Sequence, residues 1–109
     1  MKILIAEDER VSRTKLQAVL KKRGFEVLAA ADGAEAWRLW SADEDLQLAI
    51  LDWMMPEMDG LEVCRKIRAH GEKSSRAYTY VLMLTGKNQK EDLIAAVEGG
   101  ADAYMTKPF

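Results

Sequence analysis

Three stretches of this chain are almost unbroken hydrophobic sequence of strand length: Lys2-Ile3-Leu4-Ile5-Ala6, Leu48-Ala49-Ile50-Leu51 and Tyr80-Val81-Leu82-Met83-Leu84. A strand with one wet face alternates polar and apolar residues, so runs without alternation belong to strands covered on both faces, as in a parallel sheet flanked by helices. Two weaker runs, Phe25 to Ala29 and Ala101 to Tyr104, bring the strand candidates to five. Amphipathic segments of helical length lie between them. Val11, Leu16, Val19 and Leu20 mark the first, which closes on Lys21-Lys22-Arg23 and Gly24, cations and a glycine suited to a helix C-terminus. Ala36, Trp37 and Trp40 stripe a second, Leu61, Cys64 and Ile67 a third, and Leu93, Ala96 and Val97 a fourth that ends at Gly99-Gly100. This alternation predicts an α/β fold, a doubly wound parallel sheet with helices on both faces, whose ligands sit beyond the strand carboxyl ends. The polar stretch from His70 to Thr79 reads as an exposed loop, longer than most connections.

Composition narrows the function classes. With 109 residues, 49% hydrophobic and 31% charged, the chain reads as one soluble globular domain. Sixteen Lys and Arg against eighteen Asp and Glu leave a net charge of −2, which supplies no electrostatic footprint for nucleic acid or an anionic bilayer. The single cysteine, Cys64, cannot form an intrachain disulfide, and the acidic Glu7-Asp8-Glu9 arrives before a signal-peptide apolar region could form. No apolar run approaches the roughly 20 residues that span a bilayer. The expected compartment is the cytoplasm, with no direct contact to nucleic acid or membrane.

If function lies at the strand ends, the residues to weigh are Glu7 and Asp8 after the first strand, Asp52 after the third, Thr85 after the fourth and Lys107 after the fifth. Three converging carboxylates repel one another unless a divalent cation compensates them, and hard oxygen ligands are those Mg²⁺ prefers. Glu7-Asp8 equally suits an acidic helix N-terminus. Asp52 is open to two roles as well: capping the next turn, or acting as a nucleophile toward phosphorus while Mg²⁺ and an ammonium group hold the phosphoryl oxygens.

Four separate segments in order carry a family resemblance: Ile3-Leu4-Ile5-Ala6-Glu7-Asp8-Glu9, Leu51-Asp52-Trp53-Met54-Met55-Pro56-Glu57-Met58-Asp59-Gly60, Leu84-Thr85-Gly86, and Gly100-Ala101-Asp102-Ala103-Tyr104-Met105-Thr106-Lys107-Pro108-Phe109. Together they resemble the response-regulator receiver domains of two-component signalling. The resemblance implies a flavodoxin-like sheet of order 2-1-3-4-5 and a phosphorylation-dependent switch rather than an enzyme acting on an external substrate. It implies that Asp52 accepts a phosphoryl group, that Asp8 and Asp52 bind Mg²⁺ directly, that Glu7 contributes through water, and that Met54 adds its backbone carbonyl. Thr85, Gly86 and Lys107 would contact the phosphoryl group, with Lys107-Pro108 joined by a cis peptide. Thr85 and Tyr104 would form the switch pair, read out on the fourth helix, the fifth strand and their loops, including Lys87 to Lys90 and Asp102 to Met105. Met54 and Lys87 hold variable positions that govern water access, and Met54 is expected to shield the acyl phosphate. The implied partners are a sensor histidine kinase or phosphotransfer protein, and a downstream output domain or protein. Family members carry a fifth helix beyond the position of Phe109, so residues 1–109 are expected to form a receiver domain cut before it. Apolar surface near Val11, Leu16 and Val19 would then be left uncovered and open to self-association.

Two other functions fit an open α/β sheet. An aspartyl-phosphate phosphohydrolase of the haloacid-dehalogenase type wants a second Asp two residues after the nucleophile, where this chain has Met54. A nucleotide-binding module wants a Gly-rich first turn, where this chain has Glu7-Asp8-Glu9-Arg10. Trp37, Leu39 and Trp40 read as packing surface, Trp53 as a neighbour of the acidic pocket, Cys64 as a small buried hydrophobe, and His70 as a loop residue without a phosphodonor role.

Overall fold

The computed structural model describes residues 1–86 and 90–106, the side chains of 90–93 excepted. The element order is β1 (Lys2–Ala6), α1 (Arg10–Lys22), β2 (Glu26–Ala30), α2 (Gly33–Ala42), β3 (Leu46–Asp52), α3 (Gly60–Glu72), β4 (Tyr80–Thr85), α4 (Lys90–Glu98) and β5 (Ala103–Thr106). The strands form one parallel sheet in the order β2-β1-β3-β4-β5, the expected topology.

The pleat divides each apolar run between two cores. Leu4, Ala6, Ala49, Leu51, Val81 and Met83 face the side covered by α2, α3 and α4, where Ala36, Trp40, Val63, Cys64, Ile67 and Ala96 meet them. Ile3, Ile5, Val27, Ile50 and Leu84 face the other side, against Leu16 and Leu20 of α1. Unalternating sequence is thus explained by two-sided burial. No α1 residue is fully buried, and Val11 and Val19 are exposed, at 72% and 49%.

Several boundaries differ from the sequence reading, each for a local reason. β2 begins and ends one residue later, and β3 extends to Leu46, which pairs with Lys2 across a register shift, and to Asp52, which pairs with Leu84 of β4. β5 starts at Ala103 rather than Ala101. Asp102 closes a turn instead, its N–H donating to Val81 O at 2.9 Å while its carboxylate accepts from Val81 N at 2.8 Å. His70 lies in the last turn of α3, not in a loop, with its ring edge-on to the stacked pair Trp37 and Trp40. The α1 stop signal holds: Gly24 adopts φ 91°, and its N–H donates to Lys21 O.

α3 is seated against the end of β3 by a glycine. A Cβ on Gly60 would lie 2.3 Å from Asp52 O, and the Gly60 N–H donates to Trp53 O at 2.9 Å. Gly60→Ala is therefore expected to destabilise the fold by about 2–3 kcal/mol in denaturant unfolding through forced overpacking. Gly71→Ala, where a Cβ in the same helix meets nothing within 4 Å, is expected to stabilise it by about 0.5–1 kcal/mol.

Candidate functional site

The site is assembled where β1 and β3 end side by side. Ala6 of β1 pairs with Leu51 of β3, so the next residues on each strand, Glu7 and Asp52, emerge together at the sheet's carboxyl edge. Carboxylate oxygens of Glu7, Asp8 and Asp52 lie within 4.8 Å of one another. Glu7 and Asp52 are buried, at 1% and 5% exposure, whereas Asp8 faces solvent. Two charges at that spacing repel by about 3 kcal/mol in surroundings of effective dielectric near 20, so the arrangement asks for a cation.

The donor set fits a hard divalent ion. Mg²⁺ takes oxygen ligands, keeps several waters and uses one or two carboxylates directly. The 4.8 Å span is slightly wider than the roughly 4.2 Å between opposite ligands of Mg²⁺, a difference that one carboxylate acting through water accommodates.

Each carboxylate has its own positioning device. The Glu7 N–H donates to Ala30 O at 3.1 Å, continuing the β1–β2 ladder one residue past the strand. Glu9 takes the helix-capping role that the sequence left open to Glu7-Asp8, accepting from Val11 N at 3.0 Å and Ser12 N at 2.6 Å. Both oxygens of Glu9 are thereby engaged in the cap, and the two preceding acids form the cluster with Asp52. Arg13, one turn into α1, donates from Nη1 to Glu7 O at 2.9 Å and reaches Asp8 O at 3.5 Å. On the other strand, the Trp53 N–H donates to Leu84 O at 2.8 Å, tying the residue after Asp52 to β4. The loop to α3 contains a tight turn in which Met58 N donates to Pro56 O around Glu57 at φ 70°. Such left-handed backbone in a non-glycine residue concentrates at functional loops.

Thr85 is fully buried as the last residue of β4, one position beyond Leu84, which pairs with Asp52. Gly86 is exposed, and a Cβ there would meet nothing within 4 Å, so the fold itself does not demand glycine. Met54, two residues beyond Asp52, is 60% exposed. Trp53 is buried in the main core. Tyr104 is half-buried, pairs with Met83 and packs against the same core. Lys107, the Lys107-Pro108 bond and Lys87 lie outside the described residues.

Asp102, the first residue of the expected readout segment Asp102 to Met105, is exposed and also holds the fold together. Asp102 is committed to a structural clasp: its carboxylate accepts from Arg68 Nη2 at 2.6 Å, from Val81 N and from the Tyr78 hydroxyl. Arg68 also donates to Gly100 O and Thr79 O, and its guanidinium stacks over the Tyr78 ring at 4.4 Å. Ile94 and Val97 of α4 and Met105 of β5 are exposed. Cys64 is buried as expected; burial pushes its thiol pKa up, and the thiol donates to Gly99 O at 3.4 Å. Arg13 and Gly60 escaped the sequence reading because both act on backbone oxygens, which leave no trace in hydrophobic periodicity.

The family model for the response regulator receiver domain matches residues 3–109. Among curated proteins, the alkaline phosphatase synthesis transcriptional regulatory protein PhoP of Bacillus subtilis is 41% identical over 108 residues, covering 99% of this chain and 42% of PhoP. A chemotaxis protein CheY homolog of Campylobacter jejuni is 36% identical over 110 residues, covering all of this chain and 82% of that protein. The chain thus spans well under half of PhoP and most of the CheY homolog. Among solved structures, the receiver domain of Saccharomyces cerevisiae Ssk1, crystallised with the histidine phosphotransfer protein Ypd1, superposes with a TM-score of 0.89 at 28% identity. That match covers 99% of this chain and 79% of the other.

Because Trp53 follows Asp52 directly and is buried beside the cluster, adding Mg²⁺ is expected to change its fluorescence, and Asp52→Asn to weaken that response. A flat titration of the wild type with Mg²⁺ overturns the expectation.

Proposed function

The chain belongs to the response regulator receiver domain family, and on that premise we propose that Asp52 is its phosphoacceptor and that Glu7, Asp8 and Asp52 hold Mg²⁺. The observation that carries this reading is the gathering of three carboxylates from two chain segments at one sheet edge, with Glu7 and Asp52 buried. Bound Mg²⁺ supplies charge neutralisation for the carboxylates and for the phosphoryl oxygens.

The chain's own residues do the rest. An Asp52 carboxylate oxygen forms a bond to phosphorus as the bond to the donor's leaving group breaks, giving an acyl phosphate. The backbone of Asp52 is held from two sides, by the β4 ladder and by the close seat of α3, so its side chain starts from a fixed origin. Met54 contributes its backbone carbonyl to the ion, and its exposed side chain covers the approach of water to the acyl phosphate. Thr85 and Gly86 at the end of β4, with Lys107, contact the phosphoryl oxygens. The added group, about −1.5 to −2 in charge, biases Thr85 and Tyr104 between two arrangements and so alters the surface of α4 and β5.

The phosphodonor is a histidine on another protein, as the pairing of the yeast neighbour with a histidine phosphotransfer protein suggests; the donor is a sensor kinase or a phosphotransfer protein. We give His70 no such role: although exposed, it lies ten residues along α3 from Gly60, which abuts Asp52, or about 15 Å of helix away. The output is a further domain or a separate protein, and the domain's chemistry is confined to its own phosphorylation and slow dephosphorylation. Among the described residues no helix is long and apolar enough to cross a membrane, and we assign the domain to the cytoplasm. A phosphohydrolase reading finds no acid at Met54, and a nucleotide-binding reading meets an acidic first turn rather than a glycine loop.

Incubation with Mg²⁺ and acetyl phosphate is expected to add one phosphoryl group by intact mass, and Asp52→Asn to abolish the adduct. Wild type remaining unmodified across several small phosphodonors sinks the proposal. Met54→Ala is expected to lose its phosphoryl group faster than wild type, and an equal or slower rate removes the shielding role.

A further inference from the structure

Arg13 occupies an unusual place for a basic side chain beside an acidic cluster. Its Nη1 donates to the backbone carbonyl oxygen of Glu7 at 2.9 Å and reaches that of Asp8 at 3.5 Å, so it addresses the peptide groups of the turn that bears two of the three carboxylates. A cation seated on the carboxylates themselves would compete with a metal ion for the same oxygens. Seated on the carbonyls, it fixes the turn and leaves those oxygens facing Asp52. The Glu7 peptide is then gripped at both ends, its N–H by Ala30 O and its C=O by Arg13. Arg13 is itself held by the turn it grips, since its N–H donates to Glu9 O at 2.9 Å in the first turn of α1, the turn that Glu9 caps.

We infer that Arg13 is a positioning residue for the metal site: its guanidinium locks the β1–α1 turn so that Glu7 and Asp8 present their carboxylates to the ion. This rests on the reading that Glu7, Asp8 and Asp52 hold Mg²⁺. Two physical effects of Arg13 have opposite signs, which makes the inference sharp. As a charge, Arg13 repels Mg²⁺, so its removal should tighten binding. As a clamp, it pre-organises the ligands, so its removal should weaken binding.

The test is a MgCl₂ titration of wild type, Arg13→Met and Arg13→Lys, followed by the backbone amide shifts of residues 7–9 and 52–53 in two-dimensional NMR. The same spectra report whether each variant is folded. Arg13→Met is expected to raise the Mg²⁺ dissociation constant about tenfold, in the range found for residues that orient metal ligands without touching the metal. Arg13→Lys, which keeps the charge and one donor, should recover part of the loss. The weakening should persist at high salt, where a purely Coulombic effect fades. An unchanged or lower dissociation constant in Arg13→Met overturns the inference while leaving the metal site intact. If Arg13→Met does not fold, Arg13→Lys decides: binding weaker than wild type supports the clamp, and binding equal to wild type overturns it. A wild type whose amides near Asp52 do not respond to Mg²⁺ overturns the metal-site reading and this inference with it.

Discussion

The parallel pairing of β1 with β3 is the constraint on which the site depends. Ala6 and Leu51 are register partners, so both chains leave the sheet at the same level, and the acids that follow are delivered to one point. Such a convergence of like charges is unfavourable in isolation. It is tolerated because the strands beneath are packed on both faces, Leu4, Ala6 and Leu51 on one and Ile3, Ile5 and Ile50 on the other, so the strand ends cannot splay to relieve the repulsion. The sheet core therefore maintains an electrostatic arrangement that the acidic residues would not adopt alone.

Around that constraint, backbone carbonyl oxygens do much of the holding. Gly60 lets α3 approach the Asp52 peptide closely enough that a side chain would collide with it. Arg13 reads the carbonyls of Glu7 and Asp8 on the near end of the sheet. On the far end Arg68 reads those of Thr79 and Gly100, and Arg76 those of Trp40 and Asp43. These arginines, from α1, α3 and the loop before β4, tie loops to the helices and strands beside them, where regular ladders cannot reach. Arg76 also stacks over Trp40 at 3.6 Å, and the Trp40 indole donates to Thr79 Oγ1, so the segment before β4 is anchored through an aromatic core residue. Trp37 and Trp40, which read from sequence as packing surface, are part of this packing.

The fold was legible because its periodicities are strong. Unalternating runs such as Leu48 to Leu51 point to strands buried on two faces, and Gly24 and Gly99-Gly100 mark helix ends, all of which the structure bears out. Boundaries were less legible where a side chain, not propensity, sets them. Ala101-Asp102 looks like the start of a strand, yet the Asp102 carboxylate bonds back to Val81 N and to Arg68, turning the chain and delaying β5 to Ala103. The last turn of α3 was hidden by its polarity, and His70 joins the helix because its ring finds Trp37 and Trp40.

By itself, the sequence determined the chemistry available: hydrophobic runs that need two-sided cover, acids after the first and third strands, a threonine after the fourth, and the glycines that end helices. Those are properties of residue type and spacing, and they survive in any conformation. Tertiary structure decided which acid caps the helix and which two join Asp52. Glu7, Asp8 and Glu9 are adjacent and chemically alike, but Glu9 faces the open N–H groups of Val11 and Ser12 while Glu7 and Asp8 are brought to Asp52. That division follows from where α1 begins relative to the end of β1, a three-dimensional relation fixed by packing and by Arg13; residue type and spacing do not separate the three, and only the family resemblance pointed to Glu7 and Asp8.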